Sequence, residues 1–319
     1  MESLINKKLK MFASSSSYAP PSPPWTELPD DLTMNILQRL RIEDMMRAQL
    51  VCSTWWRICK NSSLWRVIDL DCQQWGSEEF DDICRFAVDR SQGQLVDLSV
   101  TSFAGVYRFL NYASKRSSQL QCLYVEECYT AEIDVTDVVK RLPLLEELHL
   151  IMDPMLSPKD FETISISCPM LKSFTYFNKW RGYPQFTEHA VAIGKNMPNL
   201  RHLRLFSHKI ENKGLEAILD GCTGLETLHL RECSGLDLQG SLGKRCYDQI
   251  KDFILHSESC QSEHDSESSH ESEGDYADSD WDDDDDSSND NLSQGNFYDS
   301  GYEYDLADFV KIQDFDGYY

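Results

Sequence analysis

One pattern, L-x-x-L-x-L, returns six times along this chain and constrains its fold more than any other feature. The copies are Leu95-Leu98-Val100, Leu120-Leu123-Val125, Leu145-Leu148-Leu150, Leu171-Phe174-Tyr176, Leu200-Leu203-Leu205 and Leu225-Leu228-Leu230. Successive starts differ by 25, 25, 26, 29 and 25 residues. Trp65-Ile68-Leu70 reads as a degenerate first copy. Alternation of the last two apolar positions predicts a short strand in each copy. No single copy can bury its apolar side chains alone, so stacked neighbours must share one continuous core. The intervening segments carry helical stripes: Phe80, Ile83, Cys84 and Ala87; Val106, Phe109, Leu110 and Ala113; Phe161 and Ile164; Ala190, Ile193 and Met197; Leu215, Ile218 and Leu219. Ser157-Pro158 reads as a helix cap with proline at the first helical position, and Asn212 as another N-cap. Pro143, Pro169 and Pro198 stand just before a repeat's first Leu, where they end a helix. Strand in and helix out predicts a right-handed α/β solenoid, with parallel strands on its concave face and helices outside.

The pattern stops short at both ends. After Leu230 it fades through Leu236 and Leu238, with a last helix or strand expected near Tyr247–Leu255. Upstream, residues 25–65 form a compact helical segment. Leu28-Pro29-Asp30-Asp31 is a helix start, because proline fits the first turn and acids complement the dipole. Leu32, Ile36, Leu37 and Leu40 follow as one apolar face. A second helix is expected from about Glu43 to Cys52 and a third around Trp55, Trp56, Ile58 and Cys59. Three short helices cannot hide so many large apolar residues, so a patch is expected to face a partner. Residues 1–24, with four consecutive serines and four prolines near their end, read as a poorly ordered leader.

Charge divides the chain at about residue 257. The formal net charge is −24, from 54 acids and 30 bases. Residues 257–319 hold 21 acids and one base, Lys311. The remaining body is nearly neutral, with 33 acids and 29 bases. No basic excess is available to neutralise phosphates, so no nucleic-acid partner is expected. Nor is a membrane partner: no apolar run approaches a spanning length, and Lys7, Lys8 and Lys10 break any secretory signal. Residues 257–319 read as a disordered acidic tail with interleaved aromatics. Ser262, Ser268, Ser272 and Ser279 each precede an acid by three positions, a weak pattern for an acid-directed kinase.

The 11 cysteines are scattered, without any C-x-x-C, and many occupy apolar positions. They read as reduced core residues, which points to nucleus or cytoplasm. Neither Cys52/Cys59 nor Cys122/Cys128 has partners at zinc-finger spacing, so no metal or other cofactor is expected. Gly-rich phosphate loops, G-x-S-x-G and H-E-x-x-H are absent, so no catalytic residues are expected either.

Residues 25–60 resemble an F-box. Leu28-Pro29, then Leu32, Ile36-Leu37 and Leu40, then Val51-Cys52-x-x-Trp55 follow the family pattern in order and spacing. Trp55-Trp56-Arg57-Ile58-Cys59-Lys60 and Ala87-Val88-Asp89-Arg90-Ser91-Gln92-Gly93 look like the plant F-box/leucine-rich-repeat group. Trp56 departs from the family, which more often carries a basic or polar residue there. The resemblance implies an F-box at 25–65, a leucine-rich-repeat domain at 66–256, and the role of substrate receptor in an SCF-type ubiquitin ligase. It further implies that Leu28, Pro29, Leu32, Ile36, Leu37, Leu40, Val51, Cys52 and Trp55 contact a Skp-type adaptor. Through that adaptor come a cullin scaffold and a RING subunit. The repeats would also suit an interaction scaffold without ligase work.

Residues alternating with the buried strand positions should line the concave face and bind a protein substrate. The candidates are Tyr124, Glu126, Glu147, His149, Phe177, Arg204, Phe206, His229 and Arg231. Tyr124, Phe177 and Phe206 are the expected anchors. Acids dominate the early strands and bases the late ones, which suggests that the late end takes an acidic substrate or the chain's own tail. Trp65, Ile68 and Leu70 are expected to weld the helical segment to the first repeat.

Overall fold

The computed structural model describes residues 28–71, 77–101, 106–126, 134–152, 156–178 and 184–256. The expected leader and acidic tail lie outside these residues.

The helical segment builds three short helices: α1 (Asp30–Leu37), α2 (Ile42–Ala48) and α3 (Ser53–Ile58). Asp30 and Asp31 occupy the first turn of α1, where the exposed backbone N–H groups favour negative charge. Pro29 is its N-cap, and its carbonyl accepts a hydrogen bond from Thr33 Oγ1 at 3.1 Å. Arg57 of α3 grips the Asp30 carboxylate with both guanidinium nitrogens at 2.7 Å, tying α3 to the start of α1. Leu37, Met45, Met46, Ile58 and Cys59 are buried. α2 ends at Ala48, four residues before the expected Cys52, because Cys52 caps α3 instead: its Sγ accepts from Trp55 N.

A 3-10 turn, Ser62–Trp65, joins this module to the repeats. Trp65 is fully buried, donates its indole N–H to the Cys59 carbonyl at 2.8 Å, and meets Phe86 edge-on at 5.9 Å. One side chain thus bonds the end of the module and packs on the first repeat helix, as expected.

Eight parallel strands follow in sequential order: β1 (Val67–Asp71), β2 (Asp97–Thr101), β3 (Cys122–Glu126), β4 (Glu147–Ile151), β5 (Ser173–Phe177), β6 (His202–Phe206), β7 (Thr227–Arg231) and β8 (Asp252–His256). Between them run α4 (Ser77–Ser91), α5 (Val106–Ser114), α6 (Val135–Val139), α7 (Pro158–Ser167), α8 (Thr187–Asn196), α9 (Asn212–Gly221) and α10 (Ser241–Gln249). No register slip interrupts the rows. Ile68, Leu98, Leu123, Leu148, Phe174, Leu203, Leu228 and Phe253 stand opposite one another across the sheet. A slip of one residue would turn a whole apolar row out of the core, so the core itself pins the register. Each fully buried aliphatic side chain contributes about 1.5–3 kcal/mol. β8, not among the six repeat copies, completes the expected last element.

The longest spacing, 29 residues, lies where aromatics replace leucine. Phe161, Phe174, Tyr176 and Phe186 are all fully buried there, and Phe186 stacks on His208 at 4.0 Å between ring centroids. α8 and α9 approach so closely that a Cβ on Gly221 would sit 1.7 Å from the Gly194 carbonyl oxygen. The predicted Ser157 cap is present, with the Asp160 carboxylate accepting from Ser157 N at 2.7 Å. Asn212 departs from its expected role. It lies inside α9 behind Glu211, and its side chain bonds the Asp237 backbone through both its oxygen and its nitrogen.

Candidate functional site

Two surfaces carry the candidate residues. On the helical module, α1 presents two adjacent stripes. Thr33 and Leu37 face inward, and Leu37 is 0% exposed. Leu32 and Ile36 face outward, with Leu32 at 52%. The expectation that Leu37 contacts a partner is therefore corrected: it is internal core. Leu40 and Trp55 are half-buried against the same core, whereas Leu28 and Cys52 are half-exposed. Pro29 and Val51 are exposed, Val51 at 62%. Two further apolar residues are exposed. Leu50, which the sequence reading missed, precedes Val51 in the turn after α2. Trp56 is 45% exposed and carries Lys60 Nζ 3.2 Å above its ring. The family-atypical tryptophan thus lies on the surface. Large apolar groups kept in water on so small a module are what a partner would cover.

On the sheet face away from the helices, side chains form three rows. The middle row runs Asp69, Ser99, Tyr124, His149, Thr175, Arg204, His229 and Ile254. Neighbouring parallel strands are only ~4.8 Å apart, so bulky side chains on this face lie against each other. That overturns part of the anchor expectation. Tyr124 and Phe206 are buried by their neighbours, and of the three anchors only Phe177 is half-exposed. Tyr124 lies 6.2 Å from the His149 ring and donates its hydroxyl to Glu126 Oε2 at 2.9 Å. Phe177 and Phe206 meet at 5.8 Å between centroids. His149 and His229 are buried, and Glu126, Glu147, Arg204 and Arg231 are half-buried.

Electrostatics on this face is largely self-compensating. His149 Nδ1 lies 2.8 Å from Thr175 Oγ1, and its Nε2 lies 3.5 Å from Glu147 Oε2. The His149 hydrogen bond holds the Glu147 carboxyl below its usual range. Burial pushes the Asp97 carboxyl up to about 6 and lowers the Arg204 guanidinium, the latter against the pull of Glu147 and Asp252. Burial also lowers His229, opposed by a 2.8 Å hydrogen bond to Asp252. Asp252 sits on β8, so the late end of the sheet is not the simple basic patch that earlier strands suggest. Glu226 accepts from Arg201 at 3.1 Å and from Lys251 at 2.8 Å beside it.

Cysteines follow the same division between core and surface. Of the eight described, six are buried and Cys52 and Cys122 are half-buried. Burial pushes the Cys168, Cys222 and Cys233 thiols up to about 12, which keeps them protonated and inert. Cys122, Glu147 and His149 bring one donor atom each within 4.8 Å of one another.

Comparison with known proteins finds matches over both the helical module and the repeats. An F-box-like family model matches residues 25–71. A second model, described as FBD-associated F-box protein At5g56370, LRR repeats, matches residues 166–241. Among curated relatives from Arabidopsis thaliana, F-box protein SKIP19 is 40% identical over 254 residues, covering 74% of this chain and 81% of the relative. Putative F-box/LRR-repeat protein 22 is 37% identical, with 72% and 76% covered. Putative F-box/LRR-repeat protein 23 is 39% identical over 72% of this chain, which spans only about half of that relative, 52%. With the helical module, the in-register repeat sheet and these relatives together, the chain belongs to the F-box/LRR-repeat protein family.

Proposed function

We propose that this chain is the substrate-receptor subunit of an SCF-type ubiquitin ligase. Its helical module binds a Skp-type adaptor, and its repeat sheet selects a protein to be modified. The observation that carries the reading is the exposure of Leu32, Ile36 and Val51 on a module whose core is otherwise closed. Burying such residues against a helical partner removes apolar surface from water without unfolding anything. Leu28, Pro29 and Cys52 fit the rim of the same contact, while Leu37 supports it from inside.

The chain then acts by proximity. An adaptor-linked cullin and RING subunit bring an activated ubiquitin, and the repeats hold the substrate lysine within reach. Such tethering converts a bimolecular encounter into an effectively intramolecular one. Rigidity between the two surfaces serves this, and the buried Trp65 junction supplies it. No covalent step falls to this chain, and nucleus or cytoplasm is where such a complex works.

The test is adaptor and cullin co-purification from cells with the proteasome blocked. Leu32→Ala with Ile36→Ala is expected to abolish adaptor recovery, since a truncated anchor costs about 2–4 kcal/mol. A folded double variant that still recovers the adaptor would refute the assignment. An intact chain that never recovers it would leave the scaffold reading.

A further inference from the structure

We propose that Cys122, Glu147 and His149 form a binding site for a divalent transition metal of the zinc class. The sequence suggests no such site, because its residues are one repeat apart and match no zinc-finger spacing. The sheet assembles it. In the strand register Asp97 stands opposite Cys122, and Cys122 opposite Glu147. His149 follows two residues along β4, on the same face. The Cys122 thiol also hydrogen-bonds Asp97.

The geometry is close to what coordination requires. Donor atoms of Cys122, Glu147 and His149 all lie within 4.8 Å of one another. Bonds of ~2.0–2.3 Å in a tetrahedral site put ligand atoms ~3.3–3.6 Å apart. Closing the gap, up to about 1.2–1.5 Å, falls to rotation of the Cys122 and Glu147 side chains, both half-buried. His149 is held rigidly, its side chain only 5% exposed. Nδ1 lies 2.8 Å from Thr175 Oγ1, and Nε2 faces Glu147 Oε2 at 3.5 Å, so a metal taking the Nε2 lone pair would replace the proton shared with Glu147 and leave Nδ1–H donating to Thr175. An imidazole oriented by a hydrogen bond on its far nitrogen is the usual arrangement of a histidine ligand.

The donor set selects the metal. A thiolate, an imidazole and a carboxylate suit zinc and its neighbours, whereas calcium and magnesium prefer oxygen alone. A dication would balance the Glu147 carboxylate and the Cys122 thiolate, the thiol proton leaving to solvent on binding. Loading would link β3 and β4 and make the patch beside Tyr124 and Glu126 less negative by one charge. None of this depends on the ligase reading, and its failure would leave that reading intact.

Cobalt(II) titration of the full-length, reduced, metal-stripped chain tests the site. We expect one equivalent to bind with a thiolate-to-cobalt charge-transfer band, displaced by zinc. Cys122→Ser should abolish the band, whereas Cys260→Ser, in the acidic tail, should not. Glu147→Gln preserves side-chain size and should still lower affinity at least about tenfold. Thr175→Val, which touches no metal, should lower it roughly 10–100-fold through loss of the His149 hydrogen bond. Absence of a saturable band, its survival in Cys122→Ser, or unchanged affinity in both Glu147→Gln and Thr175→Val overturns the proposal.

Discussion

The helical module and the repeat sheet solve the same burial problem in opposite ways. Within residues 28–65 five large apolar side chains stay exposed: Leu32, Ile36, Leu50, Val51 and Trp56. Across residues 66–256 the described exceptions, Val67, Leu144, Ile166, Met170 and Tyr247, are scattered over a segment several times longer. A short three-helix unit has too little interior to take its own apolar residues. A stacked array gains interior with each added repeat. The module therefore keeps a sticky surface, and the sheet presents a polar one whose charges mostly satisfy each other. A surface of the first kind gains by being covered, whereas one of the second kind can discriminate by shape and charge.

The strongest test of this contrast removes the side chain the two regions share. Trp65→Ala takes away an indole that is fully buried and bonded to Cys59. Loss of about 3–5 kcal/mol is expected in denaturant unfolding, with the module loosening first. A cost below ~1 kcal/mol would mean that the regions are not welded there.

Next comes a paired comparison within α1. Leu37→Ala should destabilise the chain by about 2–5 kcal/mol, whereas Leu32→Ala should change stability by less than ~0.5 kcal/mol. Equal effects in thermal unfolding would erase the distinction between the buried and exposed stripes.

A smaller effect, confined to the repeats, is one of pH. His208 is fully buried against Tyr176 and Phe186, and burial holds its imidazole down at about 3 against an unfolded value near ~6.5. Below ~6.5 the unfolded state takes up a proton that the folded state refuses. Stability contributed by the neutral ring is thus present above ~6.5 and is lost as pH falls toward 3. His208→Phe should flatten that part of the acid limb in melting curves recorded from pH 7 to pH 4. An unaltered limb would show that other groups set it.

Much of this architecture was readable in advance, and the reason is local. Apolar spacing located β1 to β7, the proline stops marked repeat starts, and Ser157 behaved as a cap because its partner Asp160 is three residues away. Asn212 was misread because its partner, Asp237, lies one repeat further on. Phe206 and Tyr124 were misread for a related reason: alternation tells which face a side chain takes, but not how completely its neighbours cover it. Asp252 went unnoticed because β8 carries no leucine pattern, yet it decides the charge around His229.

Periodicity along the chain determined the repeats, their strands and helices, and the presence of a helical module too small to close on itself. It could do so because hydrophobic spacing is a one-dimensional property. Only tertiary structure decided that Leu37 turns inward while Leu32 and Ile36 remain in water, and that Cys122 meets Glu147 and His149. Those outcomes depend on what packs against each side chain across the fold, and residues 25 positions apart become neighbours only when parallel strands align.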